Sequence, residues 1–556
     1  MGRERYVLTH DASLRHHRHR ARELTGARTA GALLWPAAIG IVLAAAPYKA
    51  FDLDRFFVPK ELVLHVTVLL VALACLASAR AFALTRVDLL LSAYVGLSTV
   101  SALFAANHWL ATRALALSIA SAVVFWCART AAADGRARAV AAACAAAAVV
   151  GAATSLAQAY GITSEYFSLN RAPGGTFGNR NFMAHLAAIA TPSLVLCTIA
   201  SRRGWGAAAG AIGLTVLAAA LVLSRTRAAW LALGAGAALL AIGLWRAHRM
   251  WSEPRAARRM RVLALAAGCG VLAALLLPNT LEWRSDSPYL DTVTGVINYR
   301  EGSGRGRLVQ YATTLRIAAT HPFLGIGPGN WGPEYPRFAS ENDPSLDPDD
   351  GMTSNPWPSS DWIAILAERG APALIALGLA LLGLGVGAWR RAGRAQSAEQ
   401  YLEGLALATT LVILVIVAAL DAVLLLPSSA LIAWAILGAL AAPSTTRAAS
   451  PVTPSGRRRL MLLASVVFLA AIARSAGQLG AMAVFTDART THDVELAARL
   501  DPGSYRIQMR LASLYSARGN CEGVRRAAGA ARAMYPAAPD PRRLLRNCGV
   551  RDRGTR

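Results

Sequence analysis

Apolar segments of roughly twenty residues alternate with short polar loops along most of the chain. A helix rises about 1.5 Å per residue, so about 20 apolar residues cross the hydrocarbon core of a membrane. The pattern predicts about thirteen membrane helices, of which the span at 428–442 gives the weakest signal. They lie near 30–47, 62–79, 87–105, 109–128, 139–160, 181–200, 205–223, 228–245, 261–277, 371–389, 403–425, 428–442 and 459–478. The predicted fold class is therefore an all-α polytopic membrane protein of about 12–13 transmembrane helices.

Three polar regions frame these helices. A basic tail covers 1–29, a large loop covers 278–370, and a polar, Arg-rich region covers 483–556. We expect a cytoplasmic tail, a membrane domain over 30–478 and a small helical C-terminal domain. The first apolar segment is not followed by a small-residue cleavage site, so we expect no cleavable signal peptide.

The distribution of charge predicts the orientation. The formal net charge is +25, but only 16% of residues are charged, whereas soluble proteins carry about a quarter. Most arginines lie in short loops, which argues against a nucleic-acid partner. With the N-terminus in the cytoplasm, every strongly basic short loop falls on the cytoplasmic side, as the positive-inside distribution requires. The large loop and the C-terminal region then lie outside the cytoplasm.

The C-terminal region predicts helix, turn, helix and a short third helix, and resembles one tetratricopeptide unit. A single unit cannot bury its own apolar face, so we expect it to pack on the membrane domain, on a helix near 488–500 or on a protein partner. Cys521 and Cys548 are candidates for a disulfide if this region is extracytoplasmic. The other five cysteines lie in or beside apolar segments and no metal-ligand spacing occurs, so we expect no metal site.

The large loop contains one clear helical pattern. Leu308, Tyr311, Leu315 and Ala319 share a helix face, and Pro322 ends that helix. The following "GIGPGNW" is a Gly-rich turn that comes after a helix rather than a strand, which excludes a dinucleotide fingerprint. An amphipathic run that begins at Trp362 then leads into the next membrane helix.

Arginines at the outer mouth of the helices are the main candidate chemistry. Arg225 and Arg227 interrupt an apolar run in "LVLSRTRAAWLAL". They either form a snorkelling turn or bind an anion. The planar guanidinium fork binds phosphate oxygens bidentately and stays charged. Arg307 joins these two, with Lys60 and Arg180 as weaker candidates.

Four stretches carry a family resemblance: "FVPKELVL", "GGTFGNRNFMAHL", "SRTRAAWLAL" and "RLVQYATTLRIAATHPFLGIGPGNW". Over about 30–442 the chain resembles the O-antigen ligase and polymerase-like superfamily of membrane glycosyltransferases, which use polyprenyl-diphosphate-linked glycans. The resemblance places Arg227 and Arg307 on the family arginines.

The resemblance implies transfer of glycan from the lipid-diphosphate donor to a lipid, glycan or protein hydroxyl. No acidic cluster in the sequence is typical of a metal site, so we expect neither a metal nor another cofactor. The reaction takes place at the outer side of the bacterial cytoplasmic membrane, by ligase or polymerase chemistry, and arginines stabilise the leaving diphosphate. A flippase or exporter of lipid-linked glycans is one alternative, and a non-catalytic assembly member of the family is another.

The general base stays open. Where ligases carry a histidine before an Asn-Asp pair, this chain has Ser359, and His321 falls on a family position that reads as structural. Asp361 and Glu368 are candidate bases, although Asp361 could instead cap the following helix. Asp421, within an apolar run, is either functional or a partner of an arginine. Two asparagines, Asn179 and Asn181, either bind sugar hydroxyls or form turns.

Overall fold

The computed structural model describes residues 26–79, 81–82, 84–169, 172–250, 254–283, 285–295, 302–340, 342–441 and 450–549. Within these ranges the fold is all-α, as predicted, and eleven helices are long and apolar enough to cross a membrane. The first of them begins at Gly26, so residues 26–29 belong to a helix rather than to the predicted basic tail. The rest of that tail lies outside the described residues.

The helices follow the chain in this order. They are α1 Gly26–Leu43, α2 Asp54–Ser78, α3 Arg86–Leu103, α4 His108–Ala131, α5 Ala137–Ala159, α6 Arg180–Ala200, α7 Gly204–Ser224, α8 Arg227–Met250, α9 Pro254–Leu276, α10 Pro288–Thr294, α11 Gly302–Thr320, α12 Trp331–Glu334, α13 Asp361–Gly393, α14 Ala398–Leu420, α15 Pro427–Leu440, α16 Pro454–Thr486, α17 Thr491–Leu500, α18 Tyr505–Ala517, α19 Cys521–Met534 and α20 Pro539–Asn547. One pair of two-residue strands, Ala81–Phe82 and Ser450–Pro451, joins two loops.

Helices α4 and α5 form one helical stretch of 52 residues that reverses direction inside it. Straight, it would measure about 78 Å, more than twice the hydrocarbon thickness. Asp134 and Gly135 have non-helical dihedrals, with φ of +77° at Gly135, and both helices pack on α15. The eleven candidates therefore supply twelve crossings, and α15 adds a thirteenth apolar segment, in agreement with the predicted count.

Helix α15 is short and central. Its 14 residues are all buried, and they extend only about 21 Å. Gly438 lies so close to α4 that an added Cβ would be 2.3 Å from the Phe125 carbonyl oxygen. A small residue is therefore required where these two backbones meet.

Contacts between loops divide the molecule into two ends. At one end, basic side chains bind acidic residues or the last turns of neighbouring helices, as in Arg129–Asp88, Arg138–Glu399 and Arg259 with the Ile199 carbonyl. The opposite end gathers the polar loops 44–53, 104–107, 225–226 and 421–426, together with the described parts of 160–179 and 277–360. These loops contact one another directly, for example through Asn107 and Asn330. The second group of loops is called the polar end below.

Two differences between the predicted and observed helix boundaries affect the polar end. Helix α2 begins at Asp54 instead of 62, because its early charged residues are paired inside the protein: Arg55 binds two carbonyls and Glu61 binds Arg113. Helix α14 ends at Leu420 instead of 425. Asp421 therefore lies in an unwound segment, 421–426, between α14 and α15, and not within a helix.

The large loop contains α11 as predicted, together with α10 and α12. The Gly-rich turn after α11 runs along the start of α13, where Gly327 N–H donates to the Glu368 carbonyl and Ala371 N–H to the Pro322 carbonyl. Gly370 (φ +80°) breaks α13 at this point, and an added Cβ would lie 2.1 Å from the Phe323 carbonyl oxygen. The amphipathic run and the membrane helix are therefore two parts of α13.

The C-terminal helices α17–α20 form a small bundle on the polar end, which includes the predicted helix near 488–500. Arg506 binds Asp52 and the Ala50 carbonyl, and Asn107 Nδ2 donates to the Met534 carbonyl at 3.3 Å. The bundle thus packs on the loops of the membrane helices. Cys521 and Cys548 form a disulfide.

Candidate functional site

The turn between α7 and α8 holds two arginines against α10. Arg225 has a left-handed backbone (φ +52°), its Nε donates to Thr292 Oγ1 at 2.8 Å, and its guanidinium lies 4.6 Å from the Trp283 ring. Arg227 donates to the Gly295 carbonyl at 2.8 Å. The large loop therefore covers and orients both side chains, which differs from a turn that merely extends arginines towards solvent.

Arg180, the first residue of α6, completes a cluster of three guanidinium groups. It interacts electrostatically with Arg225 and Arg227, and among the described residues its side chain has no hydrogen-bond or ion-pair partner. Burial lowers the pKa of Arg225, while nearby Asp291 opposes that shift. Partly desolvated like charges held together in this way favour an anionic ligand.

A polar chain of side chains joins this cluster to the unwound segment. Thr226, between the two arginines, donates through Oγ1 to Asn181 Oδ1 at 3.2 Å. Asn181 Nδ2 donates to Asp421 Oδ2 at 2.9 Å, and Ala422 N–H donates to Asp421 Oδ1. The Asp421 side chain is 11% exposed, and its Oδ2 lies 3.9 Å from His185 Nε2. Asp421 thus partners Asn181 and His185, and not an arginine as one sequence interpretation had it.

Arg307 reaches the same region from α11. It interacts electrostatically with His185, which places the fourth arginine near Asp421. Helix α11 also holds Ser359, the residue at the position where ligases carry a histidine. Ser359 N–H donates to Gln310 Oε1 at 2.7 Å, and Tyr311 OH donates to the Ser359 carbonyl at 2.5 Å. We call the four arginines with Asn181, His185 and Asp421 the cationic site.

Four other sequence candidates make structural hydrogen bonds and are not part of the cationic site. Lys60 is buried, and its Nζ donates to the Thr176 carbonyl at 2.7 Å and to the Ala44 carbonyl. Asn179 caps α6 by accepting from Asn181 N–H, which is the turn alternative. Asp361 is completely buried and accepts from Val423 and Leu424 N–H at 2.8 Å each, so it does not cap α13. Glu368 accepts from Trp331 N–H at 3.2 Å.

Sequence reasoning missed His185. It lies on α6 one turn after Asn181, so the i, i+4 spacing in "NRNFMAHL" was the available signal. Both ring nitrogens are buried without a hydrogen-bond partner among the described residues. Arg55 was missed too: it binds the Glu165 and Phe167 carbonyls at 2.9 and 2.6 Å and so holds the segment around these two residues.

Together, the helices and the site define a polytopic membrane protein with a cluster of arginines at the polar end of its bundle. Residues 211–378 match the family described as O-antigen ligase, which supports an O-antigen ligase-like family for this chain. The matched range contains Arg225, Arg227 and Arg307 and ends within α13. The match supports a glycan-transfer role in the O-antigen or polysaccharide pathway and a glycosyltransferase-like enzyme. No curated protein matches the chain.

Proposed function

We propose that the chain transfers a glycan from a polyprenyl-diphosphate-linked donor to an acceptor hydroxyl, and that the cationic site binds the diphosphate. The convergence of Arg180, Arg225 and Arg227, with Arg180 unpaired among the described residues, carries this proposal. Such a donor presents an anion at the membrane surface and sugar outside it. A guanidinium cluster at the end of a helical bundle matches that arrangement.

The charge that develops in the reaction fits these residues. The acceptor oxygen attacks the anomeric carbon, the bond from that carbon to the diphosphate oxygen breaks, and the electron pair leaves with the diphosphate. Fixed cations stabilise the growing negative charge without reorganising. The acceptor proton goes to a base, and we assign this role to Asp421, which is partly exposed beside Arg307 and His185. The step requires no metal.

Charge segregation supports the orientation that we propose. The end opposite the cationic site carries the strongly basic short loops, which are typical of the cytoplasmic side. We therefore assign the cationic site and the C-terminal bundle to the outer side of the bacterial cytoplasmic membrane. The acceptor is then a lipid A-core, a polysaccharide or a protein that is available there. The tetratricopeptide character of the bundle, and a protein partner for it, stay predictions.

Arginine-to-lysine variants test the proposal. Lysine keeps the charge but loses the bidentate fork. We expect R180K and R227K each to lower turnover at least tenfold, since removing one donor of this kind costs about 10²–10³. The matched control is R249K, at the far, exposed end of α8. Consumption of the lipid-diphosphate glycan and the length of the surface glycan are the readouts.

Normal turnover in both R180K and R227K would overturn the assignment of the site. In a deletion strain we expect unconsumed donor on the outer face of the membrane. Donor that stays on the cytoplasmic face would instead indicate a transporter.

A further inference from the structure

A cavity with a mainly apolar lining that also contains charged side chains, called the polar cavity below, lies between α2, α4 and α13, one to three helical turns below their polar ends. Its volume is about 100 Å³. Four ionisable side chains line it: Glu61, Arg113, Glu368 and Arg369. The proposed diphosphate chemistry uses none of them.

Polar atoms in this cavity lack partners. Glu61 Oε2, Arg369 Nε and Arg369 Nη2 are buried and have no hydrogen-bond partner among the described residues. Both side chains are only 1% exposed. Their other atoms are firmly held: Glu61 Oε1 binds Arg113 at 2.7 Å, while Arg369 Nη1 donates to Tyr94 OH and to Ser118 Oγ. Leaving a buried polar group without a hydrogen bond is unfavourable, so the free atoms favour a hydrogen-bonding ligand.

The charges of the lining side chains indicate which class of ligand fits the cavity. Two carboxylates face two guanidinium groups, so the lining ions balance, unlike the cationic site. An anion would meet Glu61 and Glu368, and a metal cation would meet Arg113 and Arg369. A hydroxyl group donates one hydrogen bond and accepts others, and it therefore fits a wall that offers both N–H donors and carboxylate acceptors.

The cavity adjoins the cationic site across an aromatic wall. Phe57 and Trp357 line the cavity, and both contact Phe182, with ring centroids 5.7 and 6.0 Å away respectively. Phe182 directly follows Asn181, which binds Asp421. A water-sized group occupies about 30 Å³, so the cavity has room for a few hydroxyl groups, as on one edge of a sugar ring.

We propose that this cavity binds the hydroxyl groups of an uncharged sugar residue. If the proposed function holds, that sugar belongs to the acceptor glycan, which would then sit beside the diphosphate site. Binding of the sugar itself does not depend on that function.

Equilibrium binding to the full-length protein in lipid nanodiscs tests the proposal. The probes are glucose, galactose, mannose, rhamnose and N-acetylglucosamine, with glucuronic acid as the anionic counterpart and inorganic pyrophosphate for the cationic site. A114L places a larger side chain at a cavity-lining position without removing a hydrogen bond. Its matched control is A116L, an equally half-buried alanine of α4 that does not line the cavity.

We expect at least one neutral sugar to bind the wild type and A116L, with a Kd at least tenfold higher for A114L. Glucuronic acid should bind more weakly than glucose, and pyrophosphate should bind all three proteins equally. E61Q, which keeps the size of the side chain, should also weaken sugar binding and provides the test if A114L does not fold. Sugar binding that is absent from the wild type, or unchanged in both A114L and E61Q, overturns the proposal. Failure of pyrophosphate alone to bind would instead contradict the proposed diphosphate site.

Discussion

Asp361 is a candidate base from the sequence. Replacing it with asparagine tests whether it acts as a base or only accepts hydrogen bonds from backbone amides. In the structure Asp361 Oδ2 accepts from Val423 and Leu424 N–H at 2.8 Å each, and Oδ1 has no partner among the described residues. Asparagine can place its carbonyl oxygen at Oδ2 and its amide at Oδ1. We therefore expect D361N to fold and to keep turnover within about threefold of wild type, whereas loss of a true base costs about 10²–10⁴.

The stability change follows from the two hydrogen bonds. A hydrogen bond to a charged group contributes about 1.5–3 kcal/mol and a neutral one about 0.5–1.5, but the burial of the carboxylate offsets part of that difference, so D361N should lose less than about 3 kcal/mol. D361A leaves two buried amides unpaired and should lose up to about 6 kcal/mol. Thermal unfolding in nanodiscs, followed by size-exclusion chromatography, measures both losses.

The comparison variant is D421N, at the carboxylate assigned here as the base. It should lower turnover about 10²–10⁴ and lose about 1–3 kcal/mol of stability, because asparagine can still accept from Ala422 N–H but no longer from Asn181 Nδ2. Turnover per folded molecule, measured with purified lipid-linked donor, is the assay. A hundredfold loss in D361N with normal D421N would refute the reasoning and return the role of base to Asp361.

Three further predictions follow from groups outside the cationic site. Burial raises the pKa of the Asp501 carboxyl, so ionisation of this group above pH about 4 destabilises the C-terminal bundle. D501N should therefore raise the unfolding temperature of the bundle at pH 7, and this gain should shrink as the pH falls towards 4. The C521S/C548S pair opens a loop with a sequence separation of 27, which should cost roughly 3–4 kcal/mol and expose α19 and α20 to protease while turnover persists. G370A should abolish stable expression through the 2.1 Å approach to the Phe323 carbonyl, whereas G378A, where an added Cβ meets nothing within 4 Å, should express normally in fluorescence-detected chromatography.

Hydropathy and loop charge predicted the helix count and the grouping of loops at two ends, because both depend on local composition. They placed the start of α2 too late, at 62 instead of Asp54, because the charged residues there are typical of a loop. Arg55 and Lys60 are buried in the helix because distant backbone carbonyls satisfy them, and Glu61 because Arg113 does. A hydropathy average over neighbouring residues cannot detect partners that lie tens of residues away along the chain.

Only part of the cationic site was predicted, again because some of its contacts join residues that are distant along the chain. Arg225 and Arg227 were proposed because they interrupt an apolar run, and Arg307 because of the family resemblance; the structure brings all three into the cationic site. The contact of His185 with Asp421 joins α6 to the end of α14, a separation that sequence spacing cannot express. The hydrogen bonds of Asp361 could not be predicted, because its partners are backbone amides, which every residue except proline carries.

The unwound segment 421–426 connects both proposed sites. This segment is largely buried in the protein and lines the polar cavity, so its unwound backbone is covered by neighbouring protein. At its start, Asp421 belongs to the cationic site; at its other end, Leu424 to Leu426 line the polar cavity. Asp361 fixes the two amides between these ends. A change that releases those amides should therefore weaken pyrophosphate and neutral sugar binding together, whereas R180K should weaken only the first and A114L only the second.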